Sequence, residues 1–296
     1  MKRALIVLLT AVAVPASAHA PTAAARPGPW LAIVLLGLAA VGYVTGIARV
    51  RPHVHAQREL GARAWAFAAG WVALALALLS PLDAAAGRSF AAHMIQHEAL
   101  MLIAAPLLVM GRGLPTLLWS LPRDARVAVG HFTKLRVVRG AWNAITSPMS
   151  AWLLHGAALW LWHAPPLFNA ALGDGALHHW QHATFFVTAL LFWHALLRHG
   201  ARSARGAAIF YLFTTTVHTG VLGALITFAR APLYAPFDYG LLPAGALTPL
   251  EDQQLGGLIM WVPGALVYVG VALTLLARWL RDASQEPDSL ASRVAR

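Results

Sequence analysis

His93 and His97 stand four residues apart, and His178 and His182 repeat that spacing with His179 beside the first of them. On an α-helix a separation of four puts two side chains on one face, one turn apart, so each pair can offer two imidazoles to one point. His163 precedes Ala164-Pro165-Pro166, His218 comes shortly after Thr214-Thr215-Thr216, and Asp252 and Gln253 stand just before a long apolar run. Imidazole suits copper, zinc, iron and nickel, and thioether suits Cu(I). Met94, Met101 and Met260 accompany these histidines, Glu98 adds a carboxylate, and the chain has no cysteine. His with Met and no thiolate reads as a copper site, with His93, His97, His163, His178, His182, His218 and Asp252 as its metal-ligating residues. Interhelical hydrogen bonding, or an imidazole placed at the membrane interface, is the competing use of the same side chains. Glu98 is turned ~100° from His97 on a helix, where it would orient a ligand from behind or pair with Arg88. His155 and His194 read as packing or hydrogen-bonded residues, and His53, His55, His131 and His199 as solvated loop residues.

The elements that must hold these residues follow from composition. Of 296 residues, 59% are hydrophobic and 11% charged, and the mean hydropathy is +0.63. That apolar share excludes an ordinary soluble domain. Seven stretches of helix length, at 30–48, 64–82, 90–110, 149–164, 178–197, 206–229 and 255–277, approach or exceed what crosses a ~30 Å hydrocarbon core. Helices close their own backbone hydrogen bonds in lipid, and the alternating pattern of a barrel is missing. The expected fold is all-α, a polytopic integral membrane protein of seven transmembrane helices.

Lys2 and Arg3 precede an apolar run too short to span, and Ala16-Ser17-Ala18 has the small-x-small form of a signal peptidase site. Pro21 disfavours a cut after Ala20, so cleavage is expected after Ala18. The resulting organisation is a signal peptide at 1–18, a short periplasmic N-terminus at 19–29, a transmembrane domain at 30–280 and a cytoplasmic tail at 281–296. Of the 22 Lys and Arg, only Arg26, Arg88 and Arg230 of the mature chain then fall on outward segments. Lys2 and Arg3 leave with the signal peptide, and the remaining 17 orient the protein, N-terminus periplasmic and C-terminus cytoplasmic in a bacterial inner membrane. The net charge of +11 thereby has its explanation in the lipid bilayer, without a nucleic acid partner. The longest inner connection, 111–147, mixes basic and apolar residues between prolines; it reads either as an amphipathic helix in the headgroup plane or as a cytoplasmic loop. No phosphate-binding glycine loop or nucleophile elbow occurs, and carboxylates are too few for an obvious catalytic pair, so no enzyme is expected.

The placing of these residues resembles the multispan CtaG family of bacterial cytochrome c oxidase assembly factors. The matching segments are His93-Met94-Ile95-Gln96-His97 with Leu100-Met101 and Ala105-Pro106-Leu107-Leu108, then Leu161-Trp162-His163-Ala164-Pro165-Pro166-Leu167. They continue with His178 through His182, Phe192-Trp193, Val217-His218, Leu222-Gly223-Ala224-Leu225, and Asp252-Gln253-Gln254-Leu255-Gly256-Gly257-Leu258-Ile259-Met260-Trp261. Glu98 departs from the family, where an apolar residue is expected. The resemblance implies a seven-span protein that matures a haem-copper oxidase by assisting copper supply, with oxidase subunits as partners and no reaction of its own. The similarly named single-span chaperone uses cysteines and is excluded. Two other functions compete. One is an electron carrier with bis-His haem, for which His182 and His194 are twelve apart but His163 and His155 only eight. The other is a copper permease, with His218 as a deeper stop below the outer histidines.

Overall fold

The computed structural model describes residues 30–53, 55–198, 202–234, 237 and 247–294. Among them every regular element is helical, as expected for an all-α membrane protein. The 1–18 and 19–29 segments, and His199, lie outside the described residues.

The chain begins with α1 (Trp30–Val50), α2 (Gln57–Leu79) and the short α3 (Pro81–Ala86). Helix α4 runs from Phe90 to Met110, with one widened π stretch at Ala99–Ala104. The 111–147 connection folds as α5 (Gly113–Trp119), α6 (Arg123–Lys134) and α7 (Arg136–Ile145). There follow α8 (Pro148–Trp162), α9 (Pro165–Gly173), α10 (Gly175–Arg198), α11 (Arg202–Thr227) and the long α12 (Pro249–Val294).

Helices α1, α2, α4, α11 and the Pro249–Asp282 part of α12 are long and apolar enough to cross a membrane. The other two expected spans, the fourth and fifth, are also helical. Helix α8 has 15 residues, short of the ~20 that span a bilayer core. Helix α10 has 24, but its first half carries His178, His179, Gln181 and His182.

The helix ends follow local chemistry. Ser89 starts α4 by accepting a hydrogen bond from Ala92 N at 3.1 Å, and Ser147 does the same for Ser150 N at 3.3 Å ahead of Pro148. Asp174 Oδ1 accepts from Ala176 N and Leu177 N at the start of α10. Thr248 and Glu251 form a capping box on α12, each bonding the other's backbone N–H. Helix α8 ends before Ala164, which is extended (ψ 127) ahead of Pro165, as the residue before a proline prefers.

Side chains are sorted as lipid demands. On α11, Phe210, Phe213 and Val217 face outward while Thr215 and Thr219 are buried. The hydroxyls of Thr214, Thr215 and Thr216 bond the carbonyls four residues back at 2.7–3.0 Å, so the threonine run satisfies its own helix. Inside, Phe185, Phe192, Trp193 and Tyr268 form a continuous core with Leu159, Leu196 and Leu212. Helices α11 and α12 meet backbone to backbone. A Cβ on Gly223 would lie 2.9 Å from Gly257 O, and one on Gly257 2.8 Å from Gly223 O, so only glycine permits this crossing. Tyr43 stacks on Phe67 and donates to Gly111 O at 2.9 Å, holding α1 and α2 to the far end of α4. Helices α6 and α7 bury no residue. Phe132, Val137 and Trp142 stand exposed on them, as an amphipathic reading of this connection requires.

Candidate metal centre

Four helices bring polar groups to one end of the bundle, the end where α4, α10 and α12 begin and α8 finishes. His93 and His97 sit one turn apart on α4 with ring centroids 4.3 Å apart. His178 and His182 sit likewise on α10 at 4.2 Å. The pairs face each other: His93 lies 5.4 Å from His178 and 6.1 Å from His182, and His97 lies 5.1 Å from His182. His163, which caps the end of α8 before the proline break, completes the group 6.3 Å from His97. All five are buried. One ligand nitrogen from each of His93, His178 and His182 lies within 4.8 Å of the others.

The rings are oriented from behind. His93 donates Nδ1–H to Ala86 O at 3.2 Å, and His163 donates Nδ1–H to Leu159 O at 2.7 Å. A backbone carbonyl can only accept, so in each ring the lone pair is left on Nε2. His163 Nε2 and both ring nitrogens of His97 are buried and meet no hydrogen-bond partner among the described residues. An imidazole held in an apolar interior with both nitrogens unmet is costly unless something else occupies them. Phe185 packs against this group, 4.8 Å from His97 and 5.7 Å from His163, and Phe168 and Phe237 lie against His93 at 5.3 and 6.1 Å. A soft cation would therefore meet neutral nitrogen donors in an aromatic enclosure, as imidazole ligation of copper or zinc requires.

The structure thus gathers His93, His97, His163, His178 and His182 of the sequence-derived ligand set. The other two members are placed differently. Asp252, on the first turn of α12, turns its carboxylate to the start of α4, accepting from Ser89 Oγ at 2.7 Å, Phe90 N at 2.6 Å and Ala91 N at 3.2 Å. A carboxylate there also meets the positive end of the α4 dipole. His218 stands beside α8 at Gly156, a site deeper along that helix. The methionines turn away as well: Met94 and Met260 pack with Phe90, Phe168, Leu222 and Ile226. Met94 is one residue from His93 and hence ~100° around the helix. Glu98 faces α12, where a Cβ on Gly264 would lie 3.2 Å from its Oε2.

Some supporting residues carry no sequence signal of their own. Gln96 donates to Ala77 O at 2.7 Å and Asp83 Oδ1 at 2.8 Å, tying α4 to α2 and α3. Tyr234, in the segment after α11, donates to His163 O at 3.0 Å and stacks on Phe90 at 4.7 Å. Burial holds its phenol protonated, with its pKa raised above the ordinary value.

The chain is similar to an uncharacterised protein of Mycobacterium bovis and to one of Mycobacterium tuberculosis, each 25% identical over 280 residues. Each alignment covers 88% of this chain but 41% of the relative, so the chain spans about two-fifths of their length. No solved structure matches it. The sequence profile described as cytochrome c oxidase caa3 assembly factor matches residues 41–282. That match takes in all five clustered histidines, and the chain belongs to the CtaG family of cytochrome c oxidase caa3 assembly factors.

Proposed function

We propose that this assembly factor takes up copper at the five-histidine cluster and passes it to a cytochrome c oxidase subunit during maturation. The observation that carries this reading is His97, whose two ring nitrogens are buried and unmet within reach of three other imidazoles, those of His93, His163 and His182. The donor set agrees: neutral nitrogens with no thiolate suit copper. Five imidazoles exceed what one ion in a transfer site needs, so a receiving subunit can displace them one at a time. The closed cage of a structural site, by contrast, holds its metal. Copper is the cargo here, and the protein needs no reaction of its own.

In this reading the cluster opens to the periplasm, α8 and α10 complete a seven-span bundle, and residues 1–18 are removed as a signal peptide. The distribution of Lys and Arg supports that orientation. A bis-His haem finds less support, because His155 and His194 do not join the cluster and the histidine nitrogens already face one another closely.

The test is oxidase maturation in cells carrying His97→Ala or His182→Ala. Both variants should lose oxidase activity while remaining in the membrane at near-normal amount. Loss of one interhelical hydrogen bond averages about 0.6 kcal/mol in a membrane bundle and would be tolerated. Full activity with copper scarce in the medium would remove copper supply as the function.

A further inference from the structure

Deeper along α8 lies a second group of unmet nitrogens. His155 is eight residues before His163 on this helix, ~12 Å away along the axis, and is 1% exposed. Its Nδ1 lies 3.2 Å from Thr188 Oγ1. The Thr188 hydroxyl already donates to Thr184 O at 2.8 Å, so it accepts from His155 Nδ1–H, and the imidazole lone pair is left on Nε2. That Nε2 is buried and meets no partner among the described residues. The Nε2 edge of His218, on α11, lies against the next residue of α8: a Cβ on Gly156 would be 3.6 Å from it. His218 Nε2 and Trp152 Nε1 are likewise buried and unmet among the described residues, and the two rings are 5.9 Å apart. Three unmet ring nitrogens thus stand on adjoining turns of α8 and on the α11 ring packed against them, inside the membrane domain, where an unmet polar group is costly and marks function.

We propose that His155 and His218 form a second station for a soft monovalent cation, held between two imidazole Nε2 atoms below the five-histidine cluster. This rests on the reading that the cation handled is copper. Two neutral nitrogen donors suit Cu(I) or its redox-inert analogue Ag(I), and no carboxylate is needed. A Cβ on Gly156 would only reach van der Waals contact with the His218 ring, so the ring edge lies close against α8. Trp160 Nε1 donates to His218 Nδ1 at 3.4 Å, the long limit of a hydrogen bond. Taking a cation on Nε2 therefore shifts the imidazole proton to Nδ1 and displaces the indole. On α10, Phe185 lies between the levels of His182 and Thr188, so the stations are separate sites with an aromatic ring between their levels.

The experiment titrates the purified full chain in detergent with Ag(I) and counts ions retained after desalting. Wild type should retain two per chain, the His155→Gln/His218→Gln variant one, and the His93→Ala/His178→Ala/His182→Ala variant one. Glutamine at 155 keeps an N–H for Thr188, which preserves packing. Two ions retained by the 155/218 variant, or a single ion in wild type, would overturn the second station. If only the 155/218 substitutions lower the count, the second station stands and the cluster reading fails. No retention by wild type removes both. Should the 155/218 variant not accumulate, the cluster variant decides: one retained ion supports the station and none overturns it.

Discussion

Trp193 donates its indole N–H to Met101 O at 2.8 Å, across 92 residues of sequence. The bond answers a defect in α4. In the π stretch, Ala105 N–H reaches back five residues to Leu100 O, and the next bond in that register would join residue 106 to Met101 O. Residue 106 is proline and has no N–H. Trp193, buried on α10, supplies the missing donor and fixes α10 to α4 a turn beyond His97.

Trp193→Phe should therefore cost about 1–3 kcal/mol of stability, the penalty for leaving a buried acceptor unmet. Pro106→Ala restores a local N–H, so the double variant should lose less than Trp193→Phe alone. Thermal unfolding of the four proteins in one detergent forms the cycle, and strict additivity would show that the two residues do not share this carbonyl.

Asp252→Asn leaves a single oxygen acceptor where two serve Ser89 Oγ, Phe90 N and Ala91 N. A charge-assisted bond is worth about 1.5–3 kcal/mol, so the first turn of α4 should loosen. Amide exchange at residues 90–93 should rise and oxidase maturation fall, while Ser89→Ala, which removes a cap worth ~1 kcal/mol, should do less. Unchanged exchange in Asp252→Asn would mean that the clasp does not hold the helix.

A reporter fused after Arg281 should be active in the cytoplasm, and one inserted near Gly173 in the periplasm, from the distribution of basic residues. The reverse pattern would turn the histidine cluster toward the cytoplasm and remove its proposed role.

Mature protein should begin at His19, whose free amine and imidazole together offer a chelate. Intact-mass measurement finding residues 1–18 still attached would contradict cleavage; a start at Pro21 would remove the chelate alone.

The sequence discloses a helix at each of the seven apolar stretches because lipid requires long apolar runs, and Ser-Pro and Pro-Pro pairs mark their ends. Spacing puts His93 with His97 and His178 with His182, since one helix fixes its own faces. Which faces meet is settled by packing between helices, and no spacing states it. Asp252 accordingly reads as a ligand from composition yet turns to the α4 backbone. His218 is near the right depth for a deeper site, but its partner, His155, is on another helix and reads alone as packing. The π stretch is equally hidden: Pro106 signals a lost bond, but only the arrival of Trp193 shows how the loss is met.

The outward apolar and inward polar sorting on α11 has a calorimetric consequence. When such helices separate within a bilayer, Phe213 and Val217 stay in hydrocarbon and the newly bared faces meet lipid in place of water. The heat-capacity increment that bends the stability curve of soluble proteins arises from hydrating apolar surface, and here little is hydrated. Stability in lipid should then fall almost linearly with temperature, with no maximum near room temperature.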